Sequence, residues 1–312
     1  MKAPEKTFFF LLIGVLFFFP LNSYSSQSIL YPLSSSSLLL DIAGEENNFV
    51  AVGERGHVLL SNDNGNSWRQ VAVPTNAMLT SVTYKNGEIW AAGHESSIIY
   101  SPDAGKTWKL QYHDSKDSTP FFDIFFLNNS HGFAIGAYGL FLKTTNKGKT
   151  WERITLGDDD FHLYSMTSSK SGALFIVGES GIIYKSVDSG NIWQKLNSPY
   201  QGSFFGILST IQGRLYLFGQ RGNLFTSEDE ADSWEKVQTE TKASLQGGVS
   251  LGNGNAYIVG NSGTVILTDG KNVRHIPYPI TKTNSNIYQM NNKTFLIIGK
   301  KGVSKPLSLP EK

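Results

Sequence analysis

Seven repeats of about forty residues, with four short strand-like runs in all but the last, predict an all-β protein that folds as a seven-bladed β-propeller of four-stranded blades. In every repeat, a glycine ends one apolar run and precedes a tight turn into the next. These glycines are Gly53, Gly93, Gly136, Gly178, Gly219, Gly260 and Gly299. A unit of this size cannot bury its apolar face alone, so the copies must pack against one another. No window after residue 25 shows helical periodicity, which leaves strands as the repeated element.

The first 25 residues are predicted to be a signal peptide that precedes a single propeller domain over residues 26–312. Lys2 and Lys6 come before an apolar run at residues 8–21. This run is too short to span a bilayer of about 30 Å. Small residues follow at Ser23 and Ser25, as signal peptidase requires. We therefore predict an exported protein, and an uncleaved membrane anchor is the alternative for the same segment.

The two ends of the chain indicate how the ring closes. The seventh repeat lacks a fourth strand-like run, and an unassigned apolar run at residues 29–33 precedes the first repeat. Fourth-position runs elsewhere also lead into proline, as residues 71–73 lead into Pro74. We therefore predict that an N-terminal strand at residues 29–33 completes the last blade.

A second motif recurs in register in five repeats: Ser or Thr, then Asp or Asn two residues later, then Gly (Ala231 in the fifth repeat), and Trp three residues after that position. Asp and Asn accept backbone N–H hydrogen bonds in tight turns, Gly tolerates a positive φ, and Trp can bury a large ring against the next blade. We predict structural roles, not catalytic ones, for the Asp, Asn and Trp residues of this motif. They are Asp63, Trp68, Asp103, Trp108, Asn146, Trp151, Asp188, Trp193, Asp229 and Trp234.

The composition argues against several kinds of site. The chain has 27 Lys and Arg against 26 Asp and Glu, so it lacks the basic excess of a nucleic-acid-binding protein. It has no cysteine, and because lipoprotein processing needs one, we expect release without a lipid anchor. The six histidines are scattered, and the run at residues 158–160 cannot converge on one ion unaided. We predict a monomer with no metal, no cofactor and no stable membrane insertion of its own.

The box at residues 101–108 resembles the Asp-box, or BNR repeat, of bacterial neuraminidases. With the Gly-x-x-Gly strand pairs and the motifs that begin at Asp41 and Asp123, the whole pattern is similar to the photosystem II stability/assembly factor family over about residues 28–309. The resemblance implies a non-enzymatic propeller that helps a membrane complex to assemble, and it implies a membrane protein or complex subunit as the partner. It also implies a periplasmic location, or the thylakoid lumen in a photosynthetic host.

The turns inside the Gly-x-x-Gly motifs are predicted to ring one mouth of the central channel. In a four-stranded blade, the turn between strands two and three shares a face with the connections between blades, whereas the Asp-boxes lie on the opposite face. Variable residues on a fixed scaffold are expected to form a binding surface, and Arg suits carboxylates. The candidate partner-binding residues are Arg55, His94, Tyr138, Arg221, Lys300 and Lys301. Solvated turn residues are the alternative interpretation.

Aromatic residues in the blade connections are candidates for an apolar rim around these turns, although some must be buried. They are Tyr112, Phe121, Phe122, Phe161, Tyr200, Phe204, Phe205 and Tyr278. Two other functions stay open: a sialidase-like glycosidase and a non-catalytic carbohydrate-binding propeller. Neuraminidases carry Arg-Ile-Pro before the first box, and residues 31–52 contain no arginine. We therefore predict no catalytic residue, although paired carboxylates keep glycosidase chemistry open.

Overall fold

The computed structural model describes residues 27–157, 160–279 and 282–310, and these residues form a ring of seven antiparallel sheets without an α-helix. This confirms the predicted fold class. The predicted signal peptide and the first two aspartates of the acidic run, Asp158 and Asp159, lie outside the described residues.

The strands follow the chain from the channel outward in each blade. They are β1 (Leu39–Glu45), β2 (Asn48–Gly53), β3 (Val58–Ser61) and β4 (Arg69–Val71) in blade 1; β5 (Leu79–Lys85), β6 (Glu88–Gly93), β7 (Ser97–Ser101) and β8 (Lys109–Tyr112) in blade 2; β9 (Phe121–Phe126), β10 (Gly132–Gly136), β11 (Phe141–Thr144) and β12 (Glu152–Arg153) in blade 3; β13 (Leu163–Ser168), β14 (Leu174–Gly178), β15 (Ile183–Ser186) and β16 (Gln194–Lys195) in blade 4; β17 (Phe204–Ser209), β18 (Leu215–Gly219), β19 (Leu224–Ser227) and β20 (Glu235–Val237) in blade 5; β21 (Leu245–Ser250), β22 (Ala256–Gly260), β23 (Val265–Thr268) and β24 (Val273–His275) in blade 6; and β25 (Asn284–Gln289), β26 (Thr294–Gly299), β27 (Gly302–Val303) and β28 (Leu307–Ser308) in blade 7.

The core lies between the faces of neighbouring blades. Second strands such as β10 and β14 are buried along their whole length, which explains why they are short continuous apolar runs without alternation. Trp90 of β6 is fully buried and stacks on Phe126 of blade 3, with ring centroids 4.0 Å apart. Each blade therefore covers the apolar face that its neighbour cannot bury alone.

The Asp-boxes are hydrogen-bonded turns that attach each blade to the one before it. In blade 2, Ser101 Oγ accepts the Gly105 N–H at 2.8 Å, and Asp103 accepts the backbone N–H of Thr107 at 2.8 Å and its hydroxyl at 2.7 Å. Gly105 has φ +86°, and a Cβ there would lie 2.6 Å from Leu60 of blade 1. Trp108 packs against the same core, so the box sets both the turn and the contact between blades.

The N-terminal segment does not complete blade 7, so the predicted closing strand at residues 29–33 is wrong. These residues form no strand, and the segment lies along the outer edge of blade 1. Ser28 N donates to Val73 O at 3.0 Å, Tyr31 N donates to Gln70 Oε1 at 2.7 Å, and Gln70 Nε2 donates to Ile29 O at 2.9 Å. The apolar run and its proline indicate an extended segment, but they do not specify which edge it joins.

Blade 7 ends at its third strand position in the described part of the chain. β27 and β28 both pair with β26, and Ser304, Lys305 and Pro306 lie between them. Two very short strands separated by a lysine and a proline are a poor template for another strand. The open edge is therefore protected without a fourth strand.

The ring closes by packing of blade 7 against blade 1. Leu39, Ile42 and Phe49 share one buried cluster with Leu296 and Ile298. A hydrogen bond also links the two blades: the hydroxyl of Tyr288 in blade 7 donates to Gly44 O in blade 1 at 2.6 Å.

Between other neighbouring blades, a connecting segment lies over the turn that follows the second strand. Between blade 7 and blade 1, a short 3-10 turn at Ser34–Ser36 takes the place of that segment. A Cβ on Gly302 would overlap Ser35 O, just as one on Gly56 would overlap Thr75 O. Ser35 and Thr75 each lie four residues before an innermost strand. The N-terminal segment therefore provides the connection in the usual register.

Candidate functional site

The turns between second and third strands lie on the same face as the connections between blades. Glu54 N donates to Leu38 O at 3.1 Å, and His94 N donates to Met78 O at 2.8 Å. We call this face the connector face, and it consists of these turns and connections. The Asp-boxes, which join third to fourth strands, lie at the opposite end of each antiparallel blade.

In blades 1, 3, 4, 5 and 6, the turn of the connector face holds one exposed side chain in a left-handed backbone conformation. The φ angles of Arg55, Tyr138 and Arg221 are +56°, +52° and +58°. Such a φ is uncommon for residues other than glycine and persists where the surroundings impose it. The glycine that follows has no room for a Cβ, since the carbonyl of the connection crosses directly over it, as Thr241 O does at Gly222.

All six candidate partner-binding residues are exposed on the connector face, and they come from five different blades. The Arg55 guanidinium lies 5.7 Å from the centre of the Tyr31 ring. Tyr138 N donates to His162 Nδ1 at 3.0 Å, and the two rings meet edge to face. In the part of the chain that the structure describes, Arg55, Arg221, Lys300 and Lys301 form no ion pair.

The predicted aromatic rim is only partly present. Phe121 and Phe204 are fully buried in the blades. Tyr112, Phe161, Tyr200 and Tyr278 pack against the edges of buried clusters. Phe122 and Phe205 remain, and both line the mouth of the channel.

A ring of seven residues that sequence reasoning did not identify as a set surrounds this mouth. In every innermost strand, the pairing with the second strand shifts between the first and third residues, so the second residue is not paired with any residue of that strand. A bulge of this kind redirects a side chain. The seven residues are Leu40, Thr80, Phe122, Tyr164, Phe205, Gln246 and Ser285. With Leu38 and Thr283 they line a cavity of about 410 Å³.

The mouth is aromatic on one side only. Phe122, Tyr164 and Phe205, from blades 3, 4 and 5, form what we call the aromatic arc. The centroids of the Phe122 and Tyr164 rings are 5.3 Å apart, and those of Tyr164 and Phe205 are also 5.3 Å apart. The other four residues of the ring are three polar ones, Thr80, Gln246 and Ser285, and the apolar Leu40.

A polar tier lies below the aromatic arc, deeper in the channel, around a cavity of about 180 Å³. Asp123 Oδ2 accepts the Met166 N–H at 2.8 Å. Asp41 Oδ2 accepts the Val82 N–H at 2.8 Å, and Asp41 Oδ1 accepts the Asn286 amide at 2.7 Å. These hydrogen bonds cross from blade to blade, so the tier links the innermost strands to one another.

One hydroxyl lies between the two carboxyl groups. Ser81 Oγ is 2.8 Å from Asp123 Oδ1 and 3.1 Å from Asp41 Oδ2. Burial and, secondarily, the charge of Asp41 raise the pKa of Asp123 to about 7. Burial also raises the pKa of Asp41, against its hydrogen bonds. Protein atoms surround both carboxyls, although each keeps some surface open to the channel.

The lining of the channel bears on the sialidase alternative and on metal binding. No arginine lines either cavity among the described residues, whereas the neuraminidases that share the Asp-box use an arginine cluster. No group of three or more His, Cys, Asp or Glu that could hold a metal ion is present in residues 27–157, 160–279 and 282–310. The described channel is therefore a mouth with an aromatic arc on one side and a polar tier below it.

The comparison with known families agrees with this architecture. The family model described as Photosynthesis system II assembly factor YCF48 matches residues 21–116 and 110–250. Photosystem II stability/assembly factor HCF136 of Arabidopsis thaliana is 24% identical over 172 residues, 52% of this chain and 43% of that protein. Photosystem II assembly lipoprotein Ycf48 of Prochlorococcus marinus strain MIT 9312 is 28% identical over 138 residues, 41% of each. The chain thus spans less than half the length of these two curated relatives.

Solved structures share the same ring. The structure described as YCF48 bound to D1 peptide superposes with a TM-score of 0.74 at 17% identity, and the match covers 92% of this chain and 96% of that one. At this identity the likeness concerns the fold. Across the described ranges, no helix has the length and apolar character needed to cross a bilayer.

Proposed function

Because the chain belongs to the photosystem II assembly factor YCF48 family, we propose that it is an exported, non-enzymatic scaffold that binds a membrane protein and assists assembly or stabilisation of its complex. The binding surface is the connector face. The compartment is the periplasm, or the thylakoid lumen if the host is photosynthetic.

The observation that carries this proposal is the set of turns on the connector face. In five of the seven blades the scaffold imposes the same left-handed conformation on the exposed residue of the turn, and that residue is Arg in blades 1 and 5, Tyr in blade 3 and Ser in blades 4 and 6. Arg55, Arg221, Lys300 and Lys301 add positive charge to this face. Arginine can hold a carboxylate with two parallel hydrogen bonds.

The relatives support the choice of partner. Two are named as photosystem II assembly factors, and one solved relative is described with a bound peptide of D1. We propose by analogy that this chain binds an extended segment of a membrane-protein subunit across the connector face. Exposed charges would attract an acidic segment, and such attraction weakens as ionic strength rises.

Affinity capture from detergent-solubilised membranes tests the proposal. Wild-type protein is expected to recover an integral membrane protein. The Arg55→Glu, Arg221→Glu, Lys301→Glu triple variant is expected to lose most of that capture. The matched control, Lys106→Glu, Lys149→Glu, Lys271→Glu, makes the same charge change at exposed turns on the Asp-box face and should capture normally.

The possible outcomes test the scaffold role and the assignment of the binding site separately. Equal capture by both triple variants would contradict the basic turns as the site, and failure of wild-type protein to recover any membrane protein would contradict the scaffold role. Turnover of a fluorogenic sialoside or another glycan would contradict the non-enzymatic part. Binding to a glycan array without turnover would favour the carbohydrate-binding alternative.

A further inference from the structure

The mouth of the channel and the polar tier below it form one continuous space. Leu40, Thr80, Phe122, Tyr164 and Phe205 line both the cavity of about 410 Å³ at the mouth and the cavity of about 180 Å³ beneath it. A side chain that enters past the aromatic arc therefore reaches the carboxyl groups of the floor.

The arc presents aromatic surface to this space. Phe122, Tyr164 and Phe205 are only partly buried, although each belongs to an innermost strand. Aromatic faces attract cations through the ring quadrupole, and they also cover the alkyl stem of a lysine or arginine. A wall of three such rings favours a long side chain with a positive end.

The floor holds two acidic side chains and no cation of the protein to pair with them. Asp41 and Asp123 line the lower cavity, and no Lys, Arg or His lines either cavity among the described residues. Their hydrogen-bond donors are backbone N–H groups, one hydroxyl and one amide, all of them neutral. A concave site with charge of one sign concentrates its field toward ligands of the opposite sign.

When both carboxyl groups are ionised, the hydroxyl of Ser81 leaves the floor one donor short. It lies within hydrogen-bond distance of both carboxyl groups but has a single proton. Only one of the two carboxylates can accept that proton at a time. The other keeps an acceptor position that faces Ser81 and the channel, where an ammonium or guanidinium group would donate.

We propose that the channel mouth binds the basic side chain of a lysine or arginine from the partner's extended segment. The alkyl stem packs on the aromatic arc, and the positive end reaches the Asp41–Ser81–Asp123 floor. This inference rests on the proposed function, and it adds a basic anchor residue to a segment whose other residues meet the basic turns. The partner segment is then of mixed charge, with acidic residues outside the mouth.

Titration with two capped tripeptides tests the proposal on wild-type protein. Acetyl-Gly-Lys-Gly-amide carries the cation, and acetyl-Gly-norleucine-Gly-amide carries the same stem without the charge. Isothermal titration calorimetry at pH 8, above the pKa of about 7 of Asp123, should show the lysine peptide binding at least about tenfold more tightly. Equal affinity for the two peptides, or no binding of the lysine peptide at millimolar concentration, overturns the proposal.

Two variants locate the binding. Tyr164→Leu should weaken the lysine peptide about threefold to thirtyfold through loss of the ring face, and Asp123→Asn should weaken it about tenfold or more. Asp232→Asn, which removes an exposed carboxylate on an Asp-box turn, should bind like wild type. Unchanged affinity in folded Asp123→Asn and Tyr164→Leu also overturns the site.

The peptide titration and the membrane capture separate the two proposals. Capture of a membrane protein without any preference for the lysine peptide refutes the basic anchor and keeps the scaffold. Absence of capture refutes the scaffold whatever the peptides do. If a variant fails to fold by circular dichroism, the comparison of the two peptides on wild-type protein still decides.

Discussion

Asp123→Asn is expected to flatten the dependence of stability on pH, because it removes a carboxyl group that loses its proton only as the pH rises through about 7. The pKa of Asp123 is raised from 3.8 to about 7 by burial and by the charge of Asp41. A group with a raised folded-state pKa binds its proton more tightly in the folded chain. Its contribution to stability is therefore complete below the unfolded-state pKa and is lost as the pH rises through the folded-state value.

The size of the effect follows from these two pKa values. Between pH 5 and pH 8, the loss of the proton removes about 2.5 kcal/mol from the free energy of unfolding. Asparagine carries no charge at either pH, and it can keep the local contacts. Its amide oxygen can accept the Met166 N–H, and its amide nitrogen can donate to Ser81 Oγ, which then donates to Asp41. Removal of the charge also relieves the repulsion on Asp41.

Urea unfolding at pH 5, 6, 7 and 8 measures the difference between wild type and Asp123→Asn. The variant should gain stability over wild type as the pH rises, by about 2.5 kcal/mol across this range. Burial lowers the pKa values of His57 and His131. These histidines destabilise the fold as the pH falls below 6.5, but they are common to both proteins and cancel in the difference. Parallel pH profiles for the two proteins would refute the reasoning, and Asp232→Asn serves as the control.

Three further variants test the boxes and the closure of the ring by thermal and urea unfolding. Trp151→Ala should cost about 2–3 kcal/mol, below the value for a fully buried ring, because Trp151 is only partly buried and its indole N–H has no partner; a cost under about 0.5 kcal/mol would contradict the packing. Ser101→Ala should cost about 1–2 kcal/mol, since the buried Gly105 N–H loses its acceptor, and an unchanged midpoint would contradict that role. Deletion of residues 27–31 should cost only about 1–3 kcal/mol, for a few hydrogen bonds to blade 1; unfolding of the whole ring would show that the segment closes it.

The blades could be predicted from the sequence because the residues that shape a blade recur at the same positions in successive repeats. Glycine at the end of the second strand, and Ser, Asp, Gly and Trp in the box, are dictated by contacts within a blade or with the adjacent blade. Gly105 illustrates this, since its φ and its closeness to Leu60 both exclude a side chain. Such local requirements recur at a fixed period and can be read from the chain.

The channel was not predictable in the same way. Tyr164 follows a buried leucine like many surface residues, and only the bulge in its strand turns it into the mouth. Asp41 and Asp123 belong to different blades, and they meet Ser81 only when the ring has closed. Residues 28–31 could pair with the outer edge of blade 1 or with that of blade 7, and the folded structure places them on blade 1. The repeat period contains no information about this choice.

Site-specific photocrosslinking tests most directly whether the connector face is the one that meets a membrane protein. Tyr138 on this face and Ile192 on the Asp-box face are exposed to similar degrees, 63% and 75%. With p-benzoylphenylalanine at each position in turn, irradiation in solubilised membranes should join an integral membrane protein to the protein labelled at position 138 and not to the one labelled at 192. Adducts from position 192 alone, or equal adducts from both positions, would contradict the assignment.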